Sequence, residues 1–479
     1  MLNLQRKLFG FKLPSRFFQY FLLACSLQLI ATSFLVAQDN SPYSRYGLGD
    51  LHPNTNIFNR GMAGLSAAYS EQPIESISDP RTGKYYPSIN FLNPASYSRF
   101  YAIKEAKTKK LTYGRMLLDV GINFNSRTLH EENNPQSFNS SNGYFSYLQL
   151  GVPLRKNWGL VFGLRPLSTI SYKINRFERL PMDSAVTQFV GDGGSFLFNT
   201  GTGIAIKNFS IGINAGYLFG KKDYSTRRTL LNDSVAYASS NHQTKTTFGG
   251  LFFNAGIQYR IDLSSDKTKY IQLGAFGNMQ NKVKTRNDLI RETYVINSAD
   301  ESELRLDSVS EQLDVKGKLN YPSTFGAGFI VEQLPDAKKV GWLFGVDFLN
   351  NNWDQYRFNG QTDAVRNNWQ LRIGGQLKPR LKDSYKSLLA YRAGMFFGDD
   401  YIYLNNEKLS TWGITAGVSL PIANLKDASR RFRTQYSFVN LSAEYIKRGN
   451  NNNPINENLF RVSVGFTLSD LWFTKRKYD

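Results

Sequence analysis

The chain has 479 residues, 58 of them Lys or Arg against 38 Asp or Glu, for a formal net charge of +20 at pH 7. Its single cysteine excludes disulfide stapling and thiolate metal sites. Beyond the N-terminal leader there is no run of about 18 apolar residues, which excludes a helical membrane protein.

Residues 1–37 read as a secretory signal. Arg6, Lys7, Lys12 and Arg16 form the basic region, and Phe17 to Val36 is apolar with few interruptions. Cleavage after Ala37 leaves Gln38 as the new N-terminus; an uncleaved anchor is the competing reading, since such a stretch is long enough to span a bilayer. Leu22-Leu23-Ala24-Cys25 resembles a lipoprotein box, but apolar residues continue past Cys25, so an incidental cysteine within the signal is the better reading. Without the leader the chain is still strongly basic. An exported chain rarely meets nucleic acid, so no nucleic-acid partner is expected. Lipid phosphates at the membrane faces are the more ordinary attraction.

Residues 38–110 do not alternate apolar and polar positions. They carry Gly61-Met62-Ala63-Gly64-Leu65-Ser66-Ala67-Ala68 and, later, Asn93-Pro94-Ala95. Asn93 before Pro94 reads as a helix cap followed by proline at the first helical position. Gly61 and Gly64 permit tight turns and close packing beside a wall. The expectation is a compact, mostly irregular plug, or hatch, filling a barrel lumen. A periplasmic domain hanging below the barrel is the alternative.

From residue 111 to 479 the chain reads as a β-barrel. Fourteen segments alternate apolar and polar residues: 112–126, 143–154, 158–174, 195–206, 209–220, 245–261, 268–277, 321–333, 340–350, 367–378, 387–398, 409–421, 434–447 and 459–468. In the last, Phe460, Val462, Val464, Phe466 and Leu468 share one face while Arg461, Ser463, Gly465 and Thr467 share the other. The intervening gaps are alternately long and short. Residues 127–142, 175–194, 221–244, 278–320, 351–366, 399–408 and 448–458 read as long polar loops, whereas Arg155-Lys156-Asn157 and Lys207-Asn208 read as tight turns. An all-β, 14-stranded antiparallel transmembrane barrel of the outer membrane has both features, with both termini in the periplasm. Outer-membrane lipid and lipopolysaccharide are then its surroundings. A one-residue slip would turn charges toward hydrocarbon, so the register is firmly set.

The motif at 61–68, followed by Asn93-Pro94-Ala95, resembles the N-terminal signature of the FadL/TodX outer-membrane transport proteins, most closely their Bacteroidota branch. Ala63 stands where that family usually carries its second glycine. Leu471-Trp472-Phe473-Thr474-Lys475-Arg476-Lys477 is also similar to an ending common in that branch. The resemblance implies fourteen strands, a hatch in the lumen, and passive uptake of hydrophobic small molecules, such as long-chain fatty acids, with lateral exit through the wall. Similar barrels in that branch serve instead as non-transporting subunits of secretion or barrel-assembly complexes, so protein partners are the alternative to a hydrophobic ligand.

Three groups of residues are candidates for function. Gly163, Arg165 and Pro166 lie in the third segment, and proline inside a strand marks a bulge or an opening in the wall. A harmless bulge and a lateral exit remain equally open readings. Asp119, Arg260, Glu332, Asp347, Arg372, Arg392, Glu444 and Arg461 fall on the inward faces, either to pair with one another and the plug or, for Arg372 and Arg392, to hold a carboxylate headgroup. Gly61, Met62, Gly64, Asn93, Pro94 and Ala95 form the plug motif. No enzymatic activity is expected, because the only histidines, His52, His130 and His242, have no Ser, Asp or Glu at dyad or triad spacing. No metal cluster and no cofactor is expected. His130 and His242 are expected in surface loops.

Overall fold

Alternation over the C-terminal three quarters of the chain produces one closed sheet. The structure is a computed structural model that describes residues 41–70, 88–100, 102–104 and 111–472, apart from 132–134, 182, 232–234, 236, 297–302, 381–384, 423–434 and 451. The expected signal at 1–37 lies outside these residues, as does most of the basic C-terminal ending. Two short strands, β1 (Asp50–Leu51) and β2 (Ala102–Lys104), precede the wall. The wall then runs through β3 (Leu111–Glu131), β4 (Ser137–Arg155), β5 (Trp158–Arg179), β6 (Ser184–Ile206), β7 (Phe209–Leu231), β8 (Ser239–Asp262) and β9 (Lys269–Asn278). After a hairpin of β10 (Asn281–Ile296) and β11 (Glu303–Tyr321), it continues through β12 (Thr324–Gln333) and β13 (Gly341–Asn351). The short β14 (Arg357–Phe358) precedes β15 (Asn368–Lys378), β16 (Ala390–Leu404), β17 (Glu407–Pro421), β18 (Gln435–Arg448) and β19 (Ile455–Trp472).

Every wall pairing is antiparallel, and β19 closes the barrel on β3 from Ile455↔Glu131 to Trp472↔Gly114. Near the short turns, β9 pairs directly with β12, so fourteen strands form the cylinder. Burial alternates along them. Phe460, Val462, Phe466 and Leu468 are exposed, and Arg461, Ser463, Gly465 and Thr467 between them are buried. The same holds on β3, where Ile122 and Phe124 face out and Asp119, Gly121, Asn123 and Asn125 face in. The outward aromatic and aliphatic residues form an apolar belt around the barrel, as hydrocarbon demands.

Strand existence follows the expectation; strand length does not. Residues 127–142, 175–194, 221–244 and 278–320 are mostly strand rather than loop. On one side of the barrel β5 to β8 run past the last belt residues (Phe196, Phe219 and Leu251), and the β10–β11 hairpin extends them. β10 pairs with the upper part of β8, from Lys284↔Gly249 to Tyr294↔Ser239. Together they form a fin rising about 35 Å beyond the belt at about 3.3 Å per residue. His130 and His242 accordingly lie in β3 and β8, not in loops.

Residues 41–70 and 88–100 lie inside the cylinder, almost wholly buried. A 3₁₀ turn at Pro42–Arg45 packs near the fin end, a helical turn at Ile57–Arg60 sits at mid-height, and a 3₁₀ helix at Pro94–Arg99 packs nearer the short turns. The Asn93 side chain does cap the last of these, accepting from the Ala95 N–H, but the helix is 3₁₀ rather than α.

Candidate functional site in the barrel lumen

The inner segment is held against the wall first by shape. Glycines on inward-facing wall positions leave room for its backbone. A Cβ on Gly274 would lie 1.9 Å from the Ala67 carbonyl oxygen, one on Gly212 2.3 Å from the Pro94 carbonyl carbon, and one on Gly374 2.5 Å from the Met62 carbonyl oxygen. Gly61 presses on Gly417 in the same way. Both glycine-motif and Asn-Pro-Ala segments therefore sit where the wall has no side chain. Of the plug-motif residues named from sequence, Gly61, Met62, Asn93, Pro94 and Ala95 meet these wall glycines, whereas Gly64 meets the Arg372 side chain and Thr55. The wall glycines facing them were missed, although glycine within a strand is a signal for close backbone approach.

Hydrogen bonds then fix the register. Asp347 accepts the Ser66 and Ala67 N–H groups at 2.6 and 2.8 Å. Arg372 donates from Nη1 to the Gly64 carbonyl at 3.0 Å and from Nε to Gln370 at 2.7 Å. The Arg392 guanidinium stacks 3.5 Å above the Phe58 ring and donates to Ser419. Asn93 Nδ2 donates to the Ala67 carbonyl at 2.6 Å, joining the two halves of the segment. Asp119 accepts from Thr467 and Tyr147, and Tyr147 also accepts the Ile57 N–H. Arg260 lies near the short turns, where it donates to Asp262 and covers the Tyr270 ring; Glu332 pairs there with Lys378.

Two charged features were not found from sequence. Arg60 belongs to the inner segment. It donates to the Thr55 carbonyl, to Asn123 and Ser146 at 2.6 Å each, and to Ser463 at 3.2 Å, reaching β3, β4 and β19. Higher up, Arg127 and Arg448 share Asp50 and Glu457, and Arg448 also meets Asp400 at 2.8 Å; beside them Arg461 and Glu444, both named from sequence as inward charges, pair at 2.8 Å. Ser41 donates to Glu457 as well. These groups surround a cavity of about 290 Å³ with arginines and carboxylates on its walls. Beside it, Tyr43, Leu48, Trp353, Tyr356, Tyr401 and Ile402 pack into one buried apolar cluster.

The wall is interrupted at one place, and it involves the predicted third segment. Pairing of β4 with β5 begins at the short turn and stops at Leu148↔Leu164. Beyond it Arg165 turns into the lumen, 5% exposed, with its guanidinium 4.5 Å over the Phe91 ring. Its Nε and Nη1 have no hydrogen-bond partner among the described residues. Pro166 lies at a register shift on the other edge of the strand, against β6. The edge of β5 facing the interruption pairs instead with β1, Asp50↔Thr169 and Leu51↔Ser168, and the His52 N–H donates to the Leu167 carbonyl. The His52 ring meets the Tyr144 ring of β4 edge-on at 4.1 Å. A piece of the inner segment thus stands in the seam, with Leu51 partly exposed. The three histidines are not brought together, and among the described residues no three His, Cys, Asp or Glu side chains group as metal ligands.

Fold and lumen together define a closed fourteen-stranded antiparallel barrel with residues 41–70 and 88–100 packed against its inner face. The chain belongs to the BamG family, whose model matches residues 19–479. No curated protein matches it. Among solved structures it is similar to the CymD monoaromatic hydrocarbon channel, at 14% identity and TM-score 0.46, covering 88% of this chain and 98% of that one. It is also similar to a Pseudomonas aeruginosa FadL homologue, at 12% and 0.47, covering 89% and 100%. The Pseudomonas putida toluene transporter TodX is a third, at 12% and 0.49, covering 88% and 99%.

Proposed function

We propose that this protein is an outer-membrane barrel serving as a non-transporting accessory subunit of a complex for protein secretion or barrel assembly. In this reading the fin projects outward and the short turns and both chain ends face the periplasm. The observation that carries it is the filled lumen. A conduit for hydrophobic molecules needs an apolar, concave site with few polar groups. Here arginines and carboxylates, several in mutual ion pairs, line the cavity together with leucines and aromatic rings, and a buried apolar cluster packs beside it. Residues 41–70 and 88–100 act as a plug tied to the wall through Arg60, Asp347, Arg372 and the bonds from Asn93 to the Ile257 and Ala275 carbonyls. The fin adds a large surface beyond the membrane, as an assembly partner requires. Extraction from native membranes in a mild detergent, followed by a native gel, tests this. The expected result is a stoichiometric complex, whereas a lone barrel carrying lipid would overturn the reading.

A second reading, passive uptake with lateral exit, is favoured by the seam. β4 and β5 part at Leu148↔Leu164 beside Gly163, Arg165 and Pro166, and only residues 50–52 stand in the interruption. A hydrophobic molecule that displaced them would pass sideways into lipid. Replacing Leu51 with Asp puts a carboxylate into the interruption and raises the cost of passing an apolar molecule through it. Unchanged fatty-acid uptake in that variant would remove lateral exit.

A further inference from the structure

Beside the seam, β5 buries a positive charge that no described residue balances. Arg165 enters no ion pair among the described residues, and its Nε and Nη1 find no hydrogen-bond acceptor there. Its electrostatic neighbours are the Tyr97 and Tyr321 hydroxyls, not a carboxylate. The acids that share this part of the wall are engaged elsewhere. Asp119, opposite Gln149 in register, accepts from Thr467 and Tyr147. Asp50, opposite Thr169, pairs with Arg127 and Arg448. A guanidinium keeps its proton inside proteins, so burying one without a counter-charge is costly.

Unpartnered amides adjoin it. Gln149, Gly163 and Asn199 stand side by side across β4, β5 and β6, two residues before Arg165 on the same inward face. Gly163 has no side chain, and the Gln149 amide lies over it, with its oxygen 2.0 Å from where a Cβ would stand. Neither the oxygen nor the nitrogen of the Gln149 amide has a hydrogen-bond partner among the described residues, and the same holds for Asn199. Both side chains are buried. Buried amides are nearly always bonded, so two of them beside a lone guanidinium call for a bound species. Water would satisfy the amides but would leave the positive charge unneutralised.

We infer that Arg165, with the amide N–H groups of Gln149 and Asn199, binds one small inorganic anion of the halide class, such as chloride. The donor set fixes the sign: the groups that face one another are N–H donors, with no carboxylate bonded among them. Enclosure fixes the size. Arg165, Gln149, Asn199 and Phe91 are all more than nine-tenths buried, which suits a single atom and leaves no path for the chain of a lipid headgroup. The ion neutralises the guanidinium and holds it over the Phe91 ring, and so braces residues 88–100 against β5 at the edge of the seam. It does so under either reading of what the barrel is for.

The test follows tryptophan-fluorescence melting of the full mature chain in a non-ionic detergent, with chloride replacing gluconate from about 1 to about 100 mM at fixed ionic strength. The wild-type melting temperature is expected to rise by several degrees, as linkage to an ion bound only by the folded barrel requires. Arg165→Met should abolish the chloride dependence. Gly163→Ala, whose methyl displaces the Gln149 amide, should need about tenfold more chloride for the same rise. Crystals of the wild-type chain grown in bromide should give an anomalous peak within hydrogen-bonding reach of the Arg165 guanidinium. This last measurement needs no variant, so it decides the matter even where Arg165→Met fails to fold. A melting temperature indifferent to chloride overturns the proposal, as does a chloride effect that survives Arg165→Met. A bromide peak elsewhere only, or a lipid phosphate or carboxylate at the guanidinium, overturns it too.

Discussion

Arg60 is a single side chain that reaches three separated wall strands from the inside. Replacing it with Leu leaves Asn123, Ser146 and Ser463 without their charged donor, a loss on the order of 3 kcal/mol. The expected outcome is a lower temperature for loss of the folded-barrel gel shift, with strand content unchanged. Ala63 works in the opposite sense. Its φ of 56° lies in the left-handed region, where a side chain is strained. Ala63→Gly relieves that strain and should stabilise the barrel by about 1 kcal/mol, read as a rise in the same temperature. Sequence made the Asn93 cap and the inward charges legible, because both follow from local rules. Arg60 was not legible, since nothing near it in sequence says that its partners lie on strands as distant as β19.

At the scale of elements, alternation fixed the strands wherever lipid lies on one side and the filled lumen on the other. Strand β19 reads cleanly for that reason. In the fin the contrast fades. From Glu303 to Lys316 every residue of β11 is exposed, so no period of two marks the strand, and 278–320 reads as a loop. The seam was half legible: Pro166 flagged the strand, but that β1 would stand beside it is a long-range pairing. The glycine-lined contact gives an element-scale prediction. Gly274→Val puts a branched side chain where the Ala67 carbonyl now lies, so the inner segment must move while the strand itself gains propensity. A cysteine at Ala67, with no other thiol expected in the mature chain, should change from unreactive to reactive toward a small maleimide in that variant. Unchanged protection would show that the wall glycines do not set the contact.

For the whole molecule, the proposed function requires a bore blocked by ion pairs at mid-height and by the aromatic cluster beside them. Its orientation has a direct check. A cysteine at Val309 should react with an impermeant maleimide on intact cells, and one at Ser265, in the short turn after β8, should react only after the outer membrane is permeabilised. The most direct measurement of the central claim is ion conductance across a planar lipid bilayer containing the purified full-length mature chain. A lumen filled by residues 41–70 and 88–100 predicts a silent membrane over the usual voltage range. Under the same conditions, steady conductance steps should appear only when Arg60→Leu and Gly274→Val are combined. Steady steps from the unaltered chain would contradict it.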